Sequence, residues 1–346
     1  MTISPPPVVP ARRLAALRAT ARQDPPHASH PAGGRAAAAA LAAVAGLGVA
    51  SQSRINGELG SRLHDGVAAA TISFGTGLVL LVALIMTVPS GRRGVTRVVR
   101  TVRSDTGLRW WQCVGGACGA FLVIGQGTTV AALGVAVFTV ATVAGQSVSS
   151  LAVDRLGAGP AGPQPLTAGR VLGAALAIVA VVIAMADRLG TGSALGLAAI
   201  PALAGMGSAW QQAVNGRVQA TAGSALTATF VNFTVGTSVL VVALGVDFAV
   251  RGLPTGTLPA QPWLYLGGPL GMIFIGIAAA VVRRTGVLLL SLSMISGQLI
   301  GALLLDEIVP ERGGRPSANI FVGIAVALAA IVIAGRVSRR PLRSRG

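Results

Sequence analysis

Lysine is absent from this chain; all 27 basic residues are arginine. Acidic residues number 10 in 346, so charged residues make up only 11% of the sequence while hydrophobic ones reach 53%. A soluble domain of this size carries about twice that charge. The chain has only 2 cysteines, Cys113 and Cys118. They lie in one apolar span on different helix faces, which suits neither a bridge nor a metal site. The 3 histidines, His27, His30 and His64, fall outside the apolar spans. There is no Ser/His/Asp constellation and no His-Glu-x-x-His motif, so hydrolytic chemistry lacks candidate residues. The chain is expected to be no enzyme and to need no cofactor or metal.

What is abundant is apolar: the mean hydropathy is +0.73. Ten apolar spans lie near 36–55, 66–88, 110–131, 134–153, 167–186, 194–214, 224–246, 263–282, 285–305 and 318–335. Each approaches the roughly 20 residues needed to cross a hydrocarbon core. The expected class is an all-α polytopic membrane protein, with the lipid bilayer as its main partner.

The net charge of +17 could point to nucleic acid, but the arginines cluster in tails and loops beside apolar spans. There they act as a topology signal, and no nucleic-acid partner is expected. Placing the N-terminus inside gathers Arg12, Arg13, Arg18, Arg22, Arg35, Arg92, Arg93, Arg97, Arg100, Arg103 and Arg109 on the cytoplasmic side. Arg155, Arg170, Arg217, Arg283, Arg284 and the C-terminal arginines join them, against only Arg54, Arg62, Arg188, Arg251, Arg312 and Arg315 outside. Both termini therefore belong in the cytoplasm of a bacterial plasma membrane. The Pro- and Arg-rich tail reads as disordered, although Ala11 to Gln23 could form a short basic surface helix.

The sequence is internally duplicated. Ala45–Gly57 reads A-G-L-G-V-A-S-Q-S-R-I-N-G, and Ala204–Gly216 reads A-G-M-G-S-A-W-Q-Q-A-V-N-G. Gly48, Gln52 and Asn56 thus answer to Gly207, Gln211 and Asn215, and helical spacing puts each trio on one face. Further on, Ser73-Phe74 with Gly77 matches Asn232-Phe233 with Gly236. Trp111, Gly115, Gly116 and Gly119 match Trp263, Gly267, Gly268 and Gly271, Gly145-Gln146 matches Gly297-Gln298, and Asp154 matches Asp306. Five spans per copy is an odd number, so the copies should enter the membrane from opposite sides as a 5+5 inverted-topology repeat. The expected organisation is a tail at 1–35, repeats at 36–190 and 191–335, and a second basic tail at 336–346.

These motifs resemble the drug/metabolite transporter superfamily, in its YdcZ-like branch. The resemblance rests on the Gln-x-x-x-Asn-Gly end of the first span, Ser/Asn-Phe-x-x-Gly, Trp-x-x-x-Gly-Gly-x-x-x-Gly, and Gly-Gln followed by an Asp eight residues beyond the Gln. It implies a tandem fusion of two single units, a ten-helix inverted bundle, and transport of a small molecule. A second copy of the chain is a candidate partner.

Amides inside hydrocarbon need partners, so Gln52, Asn56, Gln211 and Asn215 should face protein, either as helix-packing bonds or as part of a substrate path. Gln52 lies about 24 Å along its helix from Ala36, near the outer surface, and inversion puts Gln211 near the inner one. Two such patches suit two gates. Gln146 and Gln298 lie nearer the midplane and are candidates to line a cavity, with Ser73, Asn232 and nearby hydroxyls. Gly48 and Gly207 serve either close packing or room for substrate. Asp154 and Asp306 read as solvated boundary residues, and the glycines from Gly115 to Gly119 and Gly267 to Gly271 as helix-packing surfaces. The leading expectation is a secondary transporter or facilitator of a small polar or amphipathic metabolite or drug, working by alternating access. The competing reading is a non-transporting membrane scaffold with a filled core.

Overall fold

A backbone surrounded by lipid must satisfy its own N–H and C=O groups, and long uncharged segments do so as helices. In the computed structural model the residues described are 32–104, 107–160, 162–188, 192–252, 257–309 and 315–337. Of the two basic tails only residues 32–35 and 336–337 are among them, as the ends of α1 and α10; the rest, with the Ala11–Gln23 stretch, lies outside the described residues. Among the described residues there are ten α-helices and no strand.

The first half contains α1 (Ala32–Leu63), α2 (Gly66–Thr87), α3 (Pro89–Arg103), α4 (Gly115–Leu133), α5 (Val135–Arg155) and α6 (Ala168–Ala184). The second contains α7 (Gly192–Ala222), α8 (Ala225–Arg251), α9 (Gly267–Ile308) and α10 (Ala318–Val337). The boundaries have local causes. Asp65 accepts from the amides of Val67 and Ala68 at 2.8 and 2.9 Å and starts α2. Gly134, at φ 82°, separates α4 from α5 in a conformation that a side chain would oppose.

Among the described residues five helices are long and apolar enough to cross a membrane: α1 from Ala36, α2, the segment Trp110–Leu133, α5 and α8. Two shorter helices, Ala168–Ala184 and Ala318–Ile333, are also apolar. Their outward faces remain oily: Val79, Val82, Leu84 and Met86 on α2, Val239, Val241, Val242 and Val246 on α8, and Val171, Ile178 and Val182 on α6 are all exposed. Apolar surface on this scale requires a nonaqueous neighbour.

Two sequence expectations change. The Arg-rich connection after the second span is a helix, α3, not an irregular loop. Its charge hides a narrow packing face of Gly91, Gly94 and Val98, all buried. Thr227 on α8 donates to the carbonyl of Gly91 at 3.1 Å, and Arg97 donates to the carbonyl of Ala222 at the end of α7 at 3.0 Å. The spans expected at 263–282 and 285–305 form one helical element, α9, of 42 residues. As a straight rod it would measure about 63 Å. It is no straight rod, because both its arms lie along α1. Gly267 faces Asn56 and Phe274 faces Gly48, antiparallel to α1, whereas Gly297 faces Ala43 and Gly301 faces Leu47, parallel to it. The element therefore reverses direction between Phe274 and Met294, so that its two arms both pack on α1.

Equivalent contacts occur twice. A Cβ added at Gly46 would come within 2.0 Å of the Met294 carbonyl oxygen, and one at Gly205 within 1.9 Å of that of Thr142. Gly268 meets the carbonyl of Ser73 at 1.9 Å, and Gly116 that of Asn232 at 2.0 Å, by the same measure. Between the equivalent helices α2 and α8, Thr71 contacts Leu240, Phe74 contacts Gly236 and Gly77 contacts Phe233. Rising numbers on one meet falling numbers on the other, so these equivalent helices run antiparallel. The rings of Phe74 and Phe233, themselves equivalent, meet at 4.8 Å between centroids.

Candidate functional site: two amide seams and a cavity

The amides that the repeat singled out lie where one half meets the other. At the end of α1, Gln52 and Asn56 sit against the first turns of the α9 arm. A Cβ on Gly271 would lie 2.9 Å from Gln52 Nε2, and one on Gly267 would lie 2.3 Å from Asn56 Oδ1. On α7, Gln211 and Asn215 stand in the same relation to Gly119 and Gly115, at 2.7 and 3.0 Å. The glycines thus admit amide side chains, in addition to bringing backbones together.

The bonding differs between seams. Asn56 Nδ2 donates to Gln126 Oε1 at 2.7 Å, and Gln126 Nε2 donates to Ser53 Oγ at 2.9 Å. Ser53, Asn56 and Gln126 are all buried, and Asn56 Oδ1 and Ser73 Oγ have no hydrogen-bond partner among the described residues. In the second seam Gln211 Nε2 donates to Asn232 Oδ1 and Asn232 Nδ2 donates to Asn215 Oδ1, both at 3.2 Å. Asn232 is buried; Gln211 and Asn215 are half-buried.

Gln126 escaped the sequence reading. It is an uncharged amide inside an apolar span, which is a signal in itself, but its repeat counterpart is Ala278 and a comparison of copies passes over it. The other candidates are more dispersed. Gly48 receives the ring of Phe274, to which an added Cβ would approach within 1.8 Å, so its small size serves packing. Gly207 lies against Cys118 at 3.2 Å. Gln146 and Gln298 are half-buried, and their backbone nitrogens sit beside Gly205 and Gly46. The hydroxyls of Thr142, Ser147, Thr76 and Thr128 bond carbonyls of their own helices.

Asp306 is not the solvated boundary residue expected. It is buried, and its carboxylate accepts from the amides of Val135 and Ala136 at 3.0 and 2.7 Å. A residue of the second half thereby caps the positive end of α5 in the first. Asp154, its counterpart, is about one-third exposed and pairs with Arg170.

Two cavities accompany the seams. One of about 580 Å³ is lined by Arg109, Trp111, Gln112, Trp210, Arg217 and the 156–158 turn. A narrower cleft of about 110 Å³ lies between α5, α6, α9 and α10, with Ser147, Ser150 and Arg170 as its polar lining. Neither Gln146 nor Gln298 lines either one.

A duplicated helical bundle with apolar outer faces and paired polar seams is what a family comparison can identify. The family described as "Putative inner membrane exporter, YdcZ" matches twice, over residues 37–183 and 196–333. The chain belongs to this family. It is a tandem, two-unit member of the drug/metabolite transporter type, and the family is one of membrane exporters, not of enzymes. No curated protein and no solved structure matches the exporter's chain.

Proposed function

We propose that this exporter carries a small polar or amphipathic metabolite or drug out of the cytoplasm by alternating access. Its ten spans form a 5+5 inverted repeat, with units at 36–190 and 191–335 and both termini cytoplasmic. The observation that carries this reading is the exchange of equivalent contacts across the antiparallel α2–α8 pair. Two halves that make the same contacts with each other can adopt two arrangements of similar energy related by a pseudo-two-fold rotation, and this is what rocking between inward and outward states requires.

In this reading Gln52 and Asn56 guard the outer end of the path and Gln211 and Asn215 the inner end, with Ser73 and Asn232 beside them. Gln146 and Gln298 contribute polarity near the midplane, and Gly48 and Gly207 let helices slide closely. A homodimer is compatible with the exposed apolar faces.

One observation favours the scaffold reading: Asn56 bonds Gln126 in the first half, and Gln211 and Asn215 bond Asn232 in the second. The two readings separate in proteoliposomes. The purified exporter is reconstituted and efflux of a labelled metabolite panel is followed with and without a pH gradient. Saturable movement of any member, abolished in Gln146→Leu or Gln298→Leu while folded protein is retained, supports transport. A correctly folded protein that moves no member supports the scaffold.

A further inference from the structure

The larger cavity has a chemical character that the exporter reading does not itself supply. Its walls come from both halves. Trp111, in the turn before α4, and Trp210, on α7, stack with ring centroids 5.6 Å apart and planes 23° from parallel. Arg109 stands exposed at the rim. Arg217 is half-buried, and its guanidinium is fixed by donating through Nε to the Ala158 carbonyl at 2.5 Å and through one terminal nitrogen to the Gly157 carbonyl at 2.6 Å. The fork is thereby oriented, and its remaining N–H groups have no partner among the described residues. None of the described lining residues is acidic. A volume of about 580 Å³ falls in the range of small-molecule sites.

The pseudo-equivalent positions at the other face differ. Arg217 corresponds to Glu58, Arg109 to Gln261 and Trp210 to Ser51; only Trp111 keeps its kind, as Trp263. Glu58 is itself paired with Arg62 at 2.7 Å. A duplicated carrier inherits two like vestibules. Here one has become cationic and twin-aromatic, and the other has lost both cations and one indole.

We propose that the Trp111/Trp210/Arg109/Arg217 cavity is the loading site for an organic anion that carries a planar ring. The guanidiniums hold the anionic group through charge-assisted hydrogen bonds, and the indoles contact the ring. The inference rests on the exporter reading, in which this face is cytoplasmic. The fixed Arg217 loses little freedom on binding, which favours capture at low concentration. At the opposite face a carboxylate replaces the half-buried cation, so the same ligand binds weakly there and leaves. This asymmetry sets loading and release; it supplies no energy for uphill movement.

The test uses the full-length exporter in detergent and calorimetric titration with three probes: 2-naphthoate, 2-naphthylmethylamine and cyclohexanecarboxylate. The naphthoate should bind, the amine with the same ring should not, and the saturated carboxylate should bind several-fold more weakly. Arg217→Gln should weaken naphthoate binding about ten- to a hundredfold, as loss of a charged hydrogen-bond donor does. Because Arg217 also secures the 156–158 turn, the exposed Arg109→Gln is the second variant, expected to weaken binding severalfold without loss of folded protein. Absence of naphthoate binding, equal binding of the amine, or full affinity in both arginine variants would overturn the site. Transport is scored separately in proteoliposomes. If other metabolites move while naphthoate does not bind, the site fails and the exporter reading stands. If naphthoate binds with arginine dependence but nothing is carried, the site stands and the exporter reading fails.

Discussion

The two amide seams began as copies of one motif and now solve the same problem differently. In the first, Asn56 on α1 finds its partner on α4, at Gln126, and the cluster is buried. In the second, Gln211 and Asn215 on α7 find theirs on α8, at Asn232, with bonds of 3.2 Å and two half-buried members. The position equivalent to Asn232 is Ser73, whose hydroxyl is too short to do the same work and has no hydrogen-bond partner among the described residues. An amide in an apolar interior needs a partner, and the partner's helix is free to vary. The first seam is consequently the tighter of the two, and the second is the one expected to loosen first.

The largest effect should come from filling the close contacts both halves share. A Cβ at Gly116 or Gly268 would meet backbone oxygen at 2.0 or 1.9 Å, and backbone cannot rotate away. Gly116→Ala and Gly268→Ala should each cost about 3 kcal/mol or more and remove most folded protein from the membrane. Detergent unfolding curves compare them directly; similar losses mean the halves remain equivalent at this contact, and a tolerated variant would break the symmetry.

Next comes the bonding within the seams. Gln126→Leu strands Asn56 in a buried site and should destabilise by about 1–3 kcal/mol. Gln211→Leu, at a half-buried position, should cost clearly less. The double variant Asn56→Leu with Gln126→Leu should recover part of the loss, because no orphaned amide remains. Equal costs for Gln126→Leu and Gln211→Leu would contradict the tight-and-loose distinction.

Asp306→Asn keeps the shape but weakens the cap on α5. A cost of about 1 kcal/mol is expected, against less than about 0.5 for Asp154→Asn at its partly exposed counterpart. Thermal unfolding of the two variants side by side measures the difference.

The smallest effect is a shift of population. Gln52→Ala should favour outward opening and Gln211→Ala inward opening, each changing side-specific cysteine labelling several-fold for a change of about 1 kcal/mol. Shifts in the same direction in both variants would leave these amides as packing groups alone.

Much of this was legible beforehand. The Gly48-Gln52-Asn56 and Gly207-Gln211-Asn215 trios share a face in the sequence and meet the other half in the structure. The hydroxyls near the midplane were less legible: Thr142, Ser147 and Thr128 bond carbonyls of their own helices. Gln126 was missed because a duplication highlights what recurs, and this amide occurs once. The helix α3 was missed because arginines on its exposed face outweigh the small residues that pack. Asp306 was read by its place at the end of a span, which says nothing about the α5 amides that approach it from the other half of the chain.

The sequence by itself determined the membrane class, the duplication and the residues that recur. These are linear properties: apolar run length, charge placement and spacing survive without knowledge of neighbours. Only the tertiary structure decided that α9 doubles back along α1, that Gln126 and Asn232 complete the seams, and that Trp111 and Trp210 stack beside two arginines. Each of those depends on groups far apart in the chain meeting at hydrogen-bond or ring-contact distance. Helix periodicity states which face a residue is on, but not which helix that face will meet.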